Sequence, residues 1–190
     1  ATVSFSHTFQ NERVNAKIKL VKEDSETGKT AQGDATLEGA VYGLYAREDI
    51  VHPDGQTGVL YPAGTQIATL TTDAEGNAEI ADLYLGKYYV KELTPPVGYL
   101  ADSEEHDLEC NDEGDLVQTV ERTATSLEDV IKQPFQVIKA ANNGKTDADL
   151  LKGVGFRAYL ESSLKKNKDG SYDFASATPV VLTADGQTEM

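Results

Sequence analysis

Tryptophan is absent from this chain of 190 residues, and cysteine and methionine occur once each. With Cys110 alone there is no intramolecular disulfide, so the chain has a covalent staple of another kind or none. Basic residues are scarce: 17 Lys and Arg stand against 32 Asp and Glu, a formal net charge of −15. That balance excludes the counterion-displacing surface of a nucleic-acid binder and disfavours docking on anionic lipid. No apolar run reaches the length of a membrane span, and no secretory h-region is present. His7, His52 and His106 are scattered and give no metal cluster. A phosphate-cradling glycine loop, a nucleophile elbow and a zinc motif are all missing, so no metal or cofactor is expected. "DAEGNAEIAD" and "NKDGSYD" lack EF-hand spacing for calcium.

What is present is the punctuation of an all-β protein. Asp54-Gly55, Glu75-Gly76, Asn143-Gly144, Asp169-Gly170 and Asp185-Gly186 are turn pairs. Between them lie short β-rich runs: "VNAKIKLVK", "AVYGLYA", "QIATLTT", "KYYVKEL", "DLVQTVE" and "FQVIK". Short strands separated by turns point to β-sandwiches. Only "TSLEDVIK" and "ESSLKKNK" read as helical turns. Hydrophobic residues make up 39% of the chain, enough for a packed core.

The chain also repeats itself. "IKLVKEDSETGK" followed by "LEGAVYGLY" returns as "FQVIKAANNGK" followed by "LKGVGFRAY", with Lys22 matching Lys139 and Tyr42 matching Phe156. The distance from Lys22 to Glu92, counted on from Lys139, runs past Met190, so the second copy lacks its "KYYVKEL". The expected organisation is a remnant last strand of a preceding repeat over 1–12, a complete sandwich over 13–132, and the N-terminal part of a second over 133–190.

Alternation along the strands singles out charged residues. Ile18, Leu20 and Lys22 share one face; Tyr88, Val90 and Glu92 share another; Phe135, Val137 and Lys139 repeat the first pattern. An isolated buried charge is too costly to keep. One solution is an ion pair between Lys22 and Glu92. The other is neutralisation, since desolvation lowers a lysine pKa and raises a glutamate pKa. A neutral amine is a nucleophile and a protonated glutamate moves protons. Beside an Asn or Asp, such a pair joins lysine to that side chain through an amide, once and without turnover.

These residues resemble the Cna protein B-type, or SpaA-like, domains of Gram-positive surface adhesins and pilins. "KEDSETGKTAQGDATLEGAVYGLY" is similar to the family opening K-x-D-x-x-T-G…L-x-G-A-x-F-x-L, and "GKYYVKELTPPVGY" to its G-x-Y-x-x-x-E-x-x-x-P-x-G-Y box. The resemblance covers residues 17–99, and 135–160 repeats its opening. It implies a tandem prealbumin-like, immunoglobulin-like antiparallel β-sandwich architecture, Lys22 as the linking lysine, Glu92 as the catalytic acid and Lys139 as the second unit's lysine. The family acceptor, Asn or Asp on the last strand, has no Asn counterpart in "TSLEDVIKQP". Two indications diverge. Asn11, the acceptor expected of the preceding unit, lies eleven residues before Lys22, and Glu128 lies eleven before Lys139. Alternation instead sets Leu127, Asp129 and Ile131 on the apolar face, with Glu128 outward. Asp129 is the favoured acceptor and Glu128 the alternative.

The expected function is structural: a stalk repeat of a cell-wall-anchored adhesin or pilin, outside the cell, with neighbouring repeats of the same chain as partners. Beyond a single-turnover cross-link, no enzyme activity is expected. The rival is a module that binds a host protein or glycan, with Lys22 and Glu92 as a plain salt bridge.

Overall fold

A computed structural model of the chain describes residues 4, 6, 7, 12–114, 116–133 and 156–179. It divides into two units, Ala1–Ile131 and Lys132–Met190. Asn11, Lys139 and the "FQVIK" run lie outside the described residues, as does most of 1–12.

The first unit contains β1 (Asn15–Asp24), β2 (Val41–Ala46), β3 (Ile50–Val51), β4 (Val59–Tyr61), β5 (Gln66–Thr71), β6 (Asn77–Leu83), β7 (Gly86–Thr94), β8 (Glu105–Cys110) and β9 (Thr119–Glu128). One sheet has the order β6-β1-β9 and the other β5-β2-β7-β8; β3 and β4 form a separate hairpin. β1 and β9 run parallel, whereas the other ladders are antiparallel. The first and last strands of the unit are therefore neighbours that point the same way. The second unit has a 3-10 turn at Glu161–Ser163, inside "ESSLKKNK", followed by a hairpin of β10 (Lys165–Lys166) and β11 (Tyr172–Asp173).

The core is the space between the two sheets. β1 contributes Ala16, Ile18 and Leu20, β2 contributes Tyr42 and Leu44, and β7 contributes Tyr88 and Val90, all buried. β7 stops at Thr94, where Pro95 and Pro96 have no N–H to continue the ladder. Cys110 is fully buried and packs as a small hydrophobe. Tyr45 lies half-buried on the outer face, stacked on Tyr89 with centroids 4.9 Å apart.

"TSLEDVIK" is not a helical turn. Residues 125–128 continue β9, because the backbone of that strand pairs in register with β1 up to Asp24 and Glu128. Its side chains alternate from Val120 through Ala124 and Ser126 to Glu128 on the inner face, while Leu127 is 60% and Ile131 45% exposed. The apolar-face reading of Leu127, Asp129 and Ile131 is thus reversed. The parity of β9 is set by the ladder that starts at Thr119, not by the two large aliphatics at its end.

The turn between β5 and β6 is tied to the end of β1. Gly76 has φ +77°, and its carbonyl accepts the Lys22 N–H at 2.7 Å. A Cβ on Gly76 would stand 2.5 Å from the Lys22 carbonyl oxygen. Gly76→Ala should therefore cost ~2 kcal/mol or more, combining left-handed backbone strain with displacement of β1. Gly55 has φ +67° with open space around it, so Gly55→Ala should show the backbone penalty alone. Parallel denaturant titrations of the two variants check the difference.

Candidate functional site

The inner stripe of β1 does not end on a hydrophobe. Lys22 follows Leu20 and is 0% exposed. Its neighbour in the parallel ladder is Ser126, and Glu128, two residues on, occupies the same face at 3% exposure. Lys22 Nζ and Glu128 Oε2 are in ion-pair contact. Above them, on the facing sheet, Tyr42 and Glu92 are cross-strand partners of β2 and β7. Glu92 is 7% exposed. The Tyr99 ring covers the amine from the side, its centroid 4.4 Å from Nζ.

Hydrogen bonds fix each carboxylate. Tyr42 donates its hydroxyl to Glu128 Oε1 at 2.7 Å. Ser126 Oγ lies 3.0 Å from both the Tyr42 hydroxyl and Asp102 Oδ2. The Asp102 backbone N–H donates to Glu92 Oε2 at 2.7 Å, and Asp102 Oδ2 pairs with His106 Nε2 at 2.9 Å. Lys22 Nζ, Glu92 Oε1 and Glu128 Oε2 make no well-directed hydrogen bond. The amine thus touches the Glu128 carboxylate without a directed hydrogen bond, and one oxygen of Glu92 is buried without a partner.

Electrostatics separates the two acids. Burial pushes Glu92 up to about 7. The Asp102 N–H opposes this, and the Glu128 charge and hydrogen bonding reinforce it. Glu92 is thus poised to hold or release a proton near neutral pH. Burial also raises the Tyr42 hydroxyl far above its ordinary value, with the neighbouring Glu128 adding to the shift, so Tyr42 remains a donor. Nearby Asp24 has the opposite character. Although burial opposes ionisation, hydrogen bonds from Gln32, the Glu26 and Thr27 amides and Tyr99 hold it well below the usual carboxylate range. Asp24 organises the loop after β1 and remains a carboxylate.

The Glu92 shift has a measurable sign. Its folded-state pKa lies above the ordinary 4.5, so the folded protein binds more protons than the unfolded chain between those values. Its contribution to stability is present at low pH and declines as pH rises from 4.5 through about 7. Glu92→Gln should remove that decline, as read from melting temperatures across the interval.

Of the residues singled out from the sequence, Lys22 and Glu92 both reach this site. The ion-pair partner of Lys22 is Glu128, however, and Glu92 acts on the pair from the opposite sheet. Asp129 points outward, where its Oδ1 accepts the Ser25 hydroxyl at 2.5 Å. Tyr42, Ser126 and Asp102 complete the site, and no motif in the sequence marks them. His106, read as isolated, lies with Asp102 and Glu104, their ligand atoms within 4.8 Å of one another.

The model of the SpaA prealbumin-like fold domain matches residues 16–124, more than half of the chain. The chain belongs to the SpaA prealbumin-like family. Its fold is the all-β sandwich described above. No curated protein matches the chain. Among solved structures, the Bacillus anthracis TIE protein aligns at 21% identity and a TM-score of 0.43, covering 62% of this chain and 18% of that one. GBS52, the minor pilin of Streptococcus agalactiae, aligns at 21% identity and 0.42, covering 67% and 49%. The major pilin SpaD of Corynebacterium diphtheriae aligns at 18% identity and 0.43, covering 65% and 32%. The chain therefore spans less than half the length of each of these structures.

Proposed function

We propose that this chain is part of the stalk of a Gram-positive surface adhesin or pilin. In this reading it lies outside the cell, anchored to the wall, with neighbouring repeats of its own chain as partners. Residues 13–132 form one complete repeat, stiffened by an amide between Lys22 and Glu128. The observation that carries the reading is the buried contact of Lys22 with Glu128 beneath Glu92, on the first and last strands of the unit. The reaction balances without a co-reactant. A proton passes from the Lys22 ammonium to the Glu128 carboxylate, the Nζ–Cδ bond forms, a C–O bond breaks and water leaves. Contact in the core supplies the effective concentration.

The topology explains the use of such a bond. Tension enters at the Asn15 end of β1 and leaves at the Glu128 end of β9, shearing the parallel ladder. A link from Lys22 to Glu128 carries the load directly and shields the chain between them. With the full chain pulled between handles, the first unit should show no unfolding step. Lys22→Ala should release roughly 400 Å of contour length, the extended span of about 118 residues. A wild-type step of that size rejects the load-bearing link.

A second reading, a module for a host protein or glycan, has one observation in its favour. Tyr45 and Tyr89 stack on the outer face, with the Arg47 guanidinium 3.9 Å from the Tyr89 ring centroid. Arg47 is itself held by Glu105 and Asp107. Loss of glycan or host-protein binding on Tyr89→Ala, in a protein without the cross-link, would favour it.

A further inference from the structure

We propose that Tyr42 is a catalytic residue of the cross-link, the donor that stabilises the oxyanion formed on the Glu128 carboxyl. The inference rests on the cross-link reading of this site and adds a group that neither the sequence motifs nor the family resemblance assigns. The two oxygens of Glu128 have different surroundings. Oε2 touches the Lys22 amine, whereas Oε1 accepts the Tyr42 hydroxyl at 2.7 Å. As Nζ attacks Cδ, the carbonyl electron pair moves onto Oε1, which the Tyr42 hydroxyl already faces. Oε2, which has already received the proton passed from the Lys22 ammonium, takes a second from Glu92 and departs as water, and Glu92 regains one from Nζ. Each atom then has a role: Oε1 becomes the amide oxygen, Oε2 the water, and Glu92 returns to its starting state.

The geometry suits a preorganised donor. Tyr42 is fully buried on β2, its register with Glu92 fixed by the β2–β7 ladder, and Ser126 Oγ steadies the hydroxyl from the β9 side. In so dry a site the donor needs no solvent rearrangement as charge develops. Tyr42 thus stands against the retained oxygen while Glu92 serves the departing one.

The test follows cross-linking in the full chain made by a short pulse of cell-free synthesis, quenched in acid at intervals and weighed intact. Tyr42→Phe keeps the ring in the core and should slow the loss of water by roughly 100-fold, in line with removal of one oxyanion donor. 3-Fluorotyrosine placed at position 42, which restores a hydroxyl on the same ring, should recover the rate. All three proteins are compared below their melting temperatures. A linked wild type with Tyr42→Phe linking at the same rate overturns the role of Tyr42 alone. Failure of the fluorotyrosine protein to recover the rate also overturns it, since the hydroxyl would then not be the active group. A wild type that stays at its sequence mass overturns the cross-link reading itself.

Discussion

The full chain is expected to weigh one water less than its sequence, with Lys22→Ala, Glu128→Ala and Glu92→Ala each abolishing the loss. Lys22→Ala removes the nucleophile, Glu128→Ala the acceptor carbon, and Glu92→Ala the group that moves protons between them. Asp129→Ala should leave the loss intact, because Asp129 faces solvent and hydrogen-bonds Ser25. Fragmentation of a tryptic digest should yield the Lys22 and Glu128 peptides joined, with no cleavage after Lys22. The unlinked variants should also be less stable. A bond from residue 22 to residue 128 closes a loop of about 100 residues, worth roughly 4–5 kcal/mol by analogy with a disulfide. A wild type at its unmodified mass, with Lys22 and Glu128 still in contact, would identify the site as a buried ion pair.

Replacing both partners should separate these alternatives through stability alone. Lys22→Met on its own orphans Glu128 in the core, a loss of about 3–5 kcal/mol from the broken pair in addition to the lost loop constraint. Adding Glu128→Leu removes the orphaned charge and should recover that part. For a plain ion pair the double variant would then match or exceed the wild type, since well-packed hydrophobes often replace buried pairs without loss. For a cross-linked pair it should remain below the wild type by a few kcal/mol, because hydrophobic packing does not restore the constraint on the unfolded chain. The comparison requires urea midpoints for the wild type, the single variant and the double variant at one pH. A pH well below 7 keeps Glu92 largely protonated in the folded wild type.

The all-β class, the turns and the inward faces of β1 and β7 were determined by local sequence. Alternation is a property of the extended backbone, so "IKLVK" and "YYVKE" placed Lys22 and Glu92 in the core without reference to any partner. The family was legible for the same reason, since its two boxes are contiguous stretches on those strands. The last-strand residue that faces Lys22 was not. Leu127 and Ile131 resemble core residues locally, yet the parity of β9 follows from ten residues of parallel pairing with β1, a contact made across the whole length of the unit. The partner of Lys22 was likewise decided by tertiary structure. Glu92 sits on the opposite sheet, while Glu128 lies on the adjoining strand of the same sheet, where a lysine side chain reaches it directly. Tyr42, Ser126 and Asp102 entered the site only through packing. Nothing in their local sequence distinguishes a core tyrosine from one whose hydroxyl meets a carboxylate in the facing sheet.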